Sequence, residues 1–208
     1  MLKTTSTMTK QQTQRSVTRK TKVMTMDAIN YINDLIQSGR KIGIFSCEDP
    51  YNTSFHRDLL QKTDYMLLKQ IAGGKVEPAT LDLGLHAKGI NAWGVFAHYG
   101  IVEGHEVCSA IGALNNGHAN YGPHFSAYIE ALSKEFRYDP KIPLKENIER
   151  WVRHEYEKLL RLVPEKQKIL KGVLQDDIII FAGLVENSHD GKDYKARILF
   201  SNQNATRH

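Results

Sequence analysis

The sequence predicts an α/β protein: a mostly parallel central sheet flanked by helices, with an edge hairpin at its C-terminal end. Short apolar runs alternate with stretches of helical periodicity. The runs are bounded by Gly, Pro and Asp, as buried strands are, and the last two are separated by His189-Asp190-Gly191, a hairpin signal.

Taken in order, Ile29, Ile32, Leu35 and Ile36 recur at helical spacing from Asp27 until Ser38-Gly39 ends the helix. Lys41 to Ser46 (KIGIFS) reads as a buried strand broken by Asp49-Pro50. Tyr65 to Ile71 reads as a second strand closed by Gly73-Gly74, and Thr80 to Lys88 as a short helix. Trp93 to Val102 supplies a third strand, with a helix expected over Glu106 to Leu114. Ile148, Trp151, Val152, Tyr156, Leu159, Leu160 and Val163 form one apolar face of a long helix, which Pro164 is expected to end or restart. Asp177 to Leu184 and Tyr194 to Phe200 are the strands of the closing hairpin.

A chain of 208 residues that is 41% hydrophobic can bury one ordinary core, so a single domain over residues 23–208 is expected. Residues 1–22 contain no acid and six of the 28 basic residues. The other 22 face 23 acids, so the net charge of +5 belongs to the tail. That balance disfavours nucleic acid as a partner, because a binding surface carries its basic stripe on the fold. The tail's Ser/Thr/Lys/Arg composition predicts a solvated arm and is compatible with organellar targeting. No run of about 18 apolar residues occurs, so no membrane helix is expected. Two cysteines are too few for a disulfide framework, which points to a reducing, cytoplasmic setting with both thiols free for metal or catalysis.

Cys47 directly follows one strand, and Cys108 follows another within Gly104-His105-Glu106-Val107-Cys108. Ligand sites in open α/β sheets collect at the C-terminal ends of strands. On a helix start, His105 and Cys108 would share one face. With Cys47 they make a set that zinc accepts, leaving a fourth position open. The plain alternative is that the cysteines are small buried hydrophobes. The Gly73-Gly74 pair has no phosphate-loop context, which argues against a nucleotide site.

Several stretches resemble β-class carbonic anhydrases. Ser46-Cys47-Glu48-Asp49 resembles their C-x-D motif, and Gly104 to Gly117 (GHEVCSAIGALNNG) their G-H-x-x-C-G-A helix start. YMLLKQIAGGKV, TLDLGLHAKGI, ENIERWVRHEYEKLL and IIIFAGLVENSHDGK follow in the family's order, so the resemblance spans Asp27 to Phe200. It implies zinc held by Cys47, His105 and Cys108, with Asp49 as the catalytic carboxylate beside the metal. The implied activity is reversible hydration of carbon dioxide to bicarbonate in a homodimer or homotetramer. Related possibilities are hydrolysis of another small electrophile such as carbonyl sulfide, or a non-catalytic zinc-stabilised binding protein.

The sequence departs from the family pattern at Tyr51, where an arginine would hold Asp49 off the metal. Arg57 and Lys69 are the candidate substitutes from other segments. Gln70-Ile71 replaces Arg-Asn, and Ser109 replaces glycine. Ala97-His98-Tyr99-Gly100 resembles another form of the histidine motif, but Ile101 occupies its cysteine position, so the spacing selects His105 over His98. Glu48 and Glu106 read as exposed or supporting groups. His118 and His124 flank a Gly-rich loop that could line an entrance.

Overall fold

The computed structural model describes residues 26–61, 66–102, 105–116, 123–169, 178–188 and 192–203. Asp27 closes the short edge strand β1 (Met26–Asp27) and caps α1 (Ala28–Gln37), its carboxylate accepting the Asn30 N–H at 2.9 Å. There follow β2 (Ile42–Ser46), α2 (Thr53–Leu60), β3 (Met66–Gln70), α3 (Pro78–Leu83), β4 (Ala92–Val102), β5 (His105–Val107) and α4 (Ser109–Asn116). The chain continues through α5 (Pro123–Glu135), α6 (Leu144–Ile169), β6 (Ile179–Asn187) and β7 (Tyr194–Ser201).

The sheet order is β1-β7-β6-β4-β2-β3, with β5 attached to β4. Strands β3, β2, β4 and β6 are parallel, while β1, β5 and β7 pair antiparallel. Because strand side chains alternate, the sheet feeds two cores. Ile42 and Ile44 meet Ile32, Leu35, Phe55 and Leu59 on one face. Phe45 meets Trp93, Leu81 and Trp151 on the other. The α/β class and the closing antiparallel pair agree with the sequence reading. The turn residues His189 to Gly191 and the tail 1–22 lie outside the described residues.

Two expectations are corrected. Residues 105–107 are strand, not helix: Val107 pairs with Gly100 and His105 with Val102, and α4 begins only at Ser109. Pairing with β4 satisfies backbone groups that a helix start would leave unbonded. Nor does Pro164 break the long helix, for α6 continues through it to Ile169. Its apolar stripe from Ile148 to Val163 is buried apart from half-buried Leu160, and that packing offsets the missing N–H. The expected helix over Thr80 to Lys88 is α3 followed by one wider turn, Gly84–Lys88.

Candidate metal centre

Strand lengths bring the site together. β2 ends at Ser46, opposite Phe96, while β4 runs on to Val102. Cys47 therefore leaves the sheet beside β4, its N–H donating to Phe96 O at 3.0 Å, and His98 lies on the overhanging part of β4. The β4–β5 pairing then returns the chain and delivers Cys108 to the start of α4, where its carbonyl accepts the Gly112 N–H at 2.7 Å.

Donor atoms of Cys47, His98 and Cys108 all lie within 4.8 Å of one another, and the residues are 1%, 0% and 2% exposed. Both cysteines are free thiols. No well-formed hydrogen bond reaches either ring nitrogen of His98 among the described residues; the groups facing the ring are the Cys47 sulfur and the Asp49 carboxylate. Buried imidazoles are normally hydrogen-bonded, so two sulfurs facing an unsatisfied ring are a donor set suited to a soft or borderline divalent ion. The imidazole that the structure joins to the two sulfurs is His98, whereas the motif spacing selects His105. His105 stands on β5 opposite Val102, and its side chain lies outside the described residues. The helical i, i+3 argument for His105 fails because residues 105–107 are extended. His98 had a signal of its own, a histidine near the end of the longest apolar run. The missing cysteine spacing hid it.

The two sulfurs differ electrostatically. Cys108 is held below the usual thiol value by a hydrogen bond from Cys47 and by the amides of Ile111 and Ala110 at the α4 start. Cys47 is pushed well above it, because it donates to Cys108 and is fully buried. Its sulfur also accepts the Gly73 N–H at 3.2 Å.

Asp49 is buried beside this group. Its Oδ2 lies 3.4 Å from His98 Nε2, and its Oδ1 accepts the Tyr51 N–H at 3.2 Å as it caps the turn Pro50–Asn52. The backbone of residue 51 thus restrains the carboxylate that an arginine side chain would hold. Arg57 contacts Asp58 at 3.8 Å and Lys69 contacts Glu77 at 3.3 Å. Glu48 is exposed, while His118 and the side chains of His105 and Glu106 lie outside the described residues.

Behind Cys47, Asn52 Nδ2 donates to Cys47 O and to Ser46 Oγ, each at 3.1 Å. His56 Nε2 lies 2.9 Å from Ser46 Oγ, and Gln70 Nε2 lies 2.8 Å from His56 Nδ1. Burial pushes His56 down to about 4, keeping it neutral in this network. Asn52 and His56 show no ligand spacing, so the sequence carries no signal for this network.

The loop facing Cys47 is anchored by Glu155, whose Oε2 accepts the Val76 N–H at 2.5 Å. Burial raises this carboxyl to about 7, against the pull of Lys158 and the Val76 N–H. Lys158 and His154 lie 3.5 and 3.6 Å from Oε1, and Lys75 and Glu135 also bear on it. A raised folded-state value means that the folded chain binds the proton more tightly. Glu155 therefore contributes stability that is complete below the unfolded value and is lost as pH rises through about 7. Glu155→Gln is expected to be more stable than the parent at pH 8 by about 1–3 kcal/mol, with the difference vanishing near pH 4. Denaturant melts across that range check it.

The fold and this buried group define an α/β protein with the β-carbonic anhydrase fold and a Cys-His-Cys cluster able to hold a metal. The solved structures it resembles include the β-carbonic anhydrase CafD of the filamentous fungus Aspergillus fumigatus, at 15% identity and TM-score 0.54, covering 86% of this chain and 99% of that one. Also similar are the limiting CO2-inducible protein LCIB (13% identity, TM-score 0.55, 85% and 87% covered) and its homolog PtLCIB4 (11%, 0.58, 82% and 85%). No protein-family model matches the sequence, and no curated protein does. Among the described residues, no helix is long and apolar enough to cross a membrane.

Proposed function

We propose that this protein is a zinc-dependent carbonic anhydrase, a lyase that reversibly hydrates carbon dioxide to bicarbonate, with Cys47, His98 and Cys108 as the metal ligands. The observation that carries this reading is the unsatisfied His98 ring facing two buried sulfurs on a β-carbonic anhydrase fold. A zinc ion held there supplies Lewis acidity, making water acidic near neutral pH. The chain does the rest. Two thiolates cancel the ion's charge, so the site acidifies water less than three imidazoles would, and an acceptor beside it matters more. Asp49 is that acceptor: with Oδ1 tied to the Tyr51 N–H, Oδ2 faces the imidazole and takes the hydrogen bond of the attacking water. Asn52 orients the Cys47 carbonyl, and burial of all three ligands shields their donor atoms from bulk solvent.

A pair of alanine variants tests the ligand assignment. His98→Ala is expected to lose stoichiometric zinc and stopped-flow hydration together, while His105→Ala keeps both. The reverse result returns the role to His105.

The 3.4 Å approach of Asp49 to His98 favours one other reading, in which the carboxylate itself completes the metal's coordination and the protein is a non-catalytic, zinc-stabilised module. Four protein ligands in the cobalt spectrum, with no hydration between about pH 6 and 9, distinguish it. Self-association as a dimer or dimer of dimers belongs to the same proposal, supported by the half-covered Met66, Leu67 and Leu68 on edge strand β3. So does a cytoplasmic location, in keeping with the free thiols.

A further inference from the structure

The N–H that reaches the Cys47 sulfur belongs to a peptide unit gripped from its other side. Gly73 N donates to Cys47 Sγ at 3.2 Å. The carbonyl of that same unit is Ala72 O, and it accepts the Tyr128 hydroxyl of α5 at 2.5 Å. A peptide unit is planar and rigid. A single amide therefore links a phenol to a sulfur of the metal-binding group, with donor and acceptor ends both engaged.

The rest of the loop is held so that this plane cannot tilt freely. Trp151 Nε1 donates to Gly73 O at 2.6 Å, and Glu155 accepts the Val76 N–H one helical turn further along α6. Gly73 and Gly74 both adopt positive φ, +72° and +68°, which lets the backbone close onto the strand ends. Hydrogen bonds in series polarise one another. Donation into Ala72 O makes the Gly73 N–H a stronger donor, which draws charge from the sulfur and fixes its direction.

We propose that Tyr128 is a positioning residue of the metal centre, setting the orientation and donor strength of Cys47 through the Ala72–Gly73 peptide. This rests on Cys47 being a metal ligand. Burial, then the nearby Cys47, holds the phenol well above its ordinary value, so it stays a proton donor at working pH. Gly73 can take φ of +72° without strain and brings its N–H to the sulfur. Tyr128 accounts for why that N–H is held there.

The test uses the full chain loaded with cobalt(II), read by its sulfur-to-cobalt charge-transfer band and by chelator competition. Tyr128→Phe is expected to shift the band and weaken metal affinity about 10-fold, the lower end of the cost of losing an outer partner. Its metal-free melting should fall no further than that of Tyr194→Phe, which loses a stronger, charge-assisted phenol bond, to Asp58, on another element. Replacing Tyr128 by 3-fluorotyrosine, a stronger donor, is expected to move the band in the opposite direction, and this arm decides if Tyr128→Phe does not fold. Band and affinity unchanged in the folded variants overturn the role of Tyr128 alone. A wild-type chain with no sulfur-to-cobalt band overturns the metal reading, and this inference falls with it.

Discussion

Cys108→Ser is expected to abolish tight metal binding and carbon dioxide hydration while leaving the sheet intact. Cys108 is the sulfur held most readily as thiolate, by the Cys47 hydrogen bond and by the α4 amides. A serine hydroxyl has nearly the same size and can take the same N–H bonds, but it does not ionise near neutral pH and is a poor ligand for a borderline-soft ion. Losing a direct ligand should cost more than the roughly 100-fold that removal of an outer partner can cost, as read by chelator competition. Linkage supplies a second readout. An ion that binds only the folded state raises stability by about 2.7 kcal/mol when present at 100 times its Kd. Added zinc should therefore raise the melting temperature of the parent and leave Cys108→Ser unmoved. A variant with parental affinity and turnover would remove the site from Cys108.

Gly74→Ala should produce a large loss of stability for a single added methyl group. Gly74 has φ +68°, and an added Cβ would sit 2.3 Å from Phe96 O and 3.3 Å from Cys47 N. Both neighbours are backbone, so no side chain can swing aside. Left-handed strain costs about 1–2 kcal/mol and overpacking about 1–3 kcal/mol. The sum, about 2–5 kcal/mol, is a large part of the 5–15 kcal/mol that holds a typical domain folded. Gly39→Ala separates the two terms, because Gly39 has φ +82° with nothing within 4 Å of its added Cβ, and should pay only the backbone cost. Denaturation midpoints of the two variants give the difference. Equal losses would mean that the Phe96 contact relaxes freely. Since Gly74 packs against the Cys47 backbone, its replacement should weaken metal binding as well.

The fold was largely legible because its elements announce themselves locally. KIGIFS, the run from Trp93 and the stripe from Ile148 to Val163 each carry a period or a continuous apolar block that only one kind of element can bury. β5 was not legible, since its three residues have no period and exist as a strand only through pairing with β4. The H-x-x-C argument for His105 depends on reading helix there. An H-x-x-C spacing is evidence for a shared face only on a helix, and strand geometry cancels it.

Sequence alone determined the α/β class and the placing of both cysteines just beyond strand ends, because burial of apolar runs and the breaks after them are properties of neighbouring residues. That the His98 ring meets the two sulfurs was decided by tertiary structure. β4 outruns β2, so His98 overhangs Cys47, and the β4–β5 pairing brings Cys108 to the same place. The restraint on Asp49 has the same origin: a backbone N–H stands where a side-chain cation was sought, and an amide's direction is set only once the turn has folded.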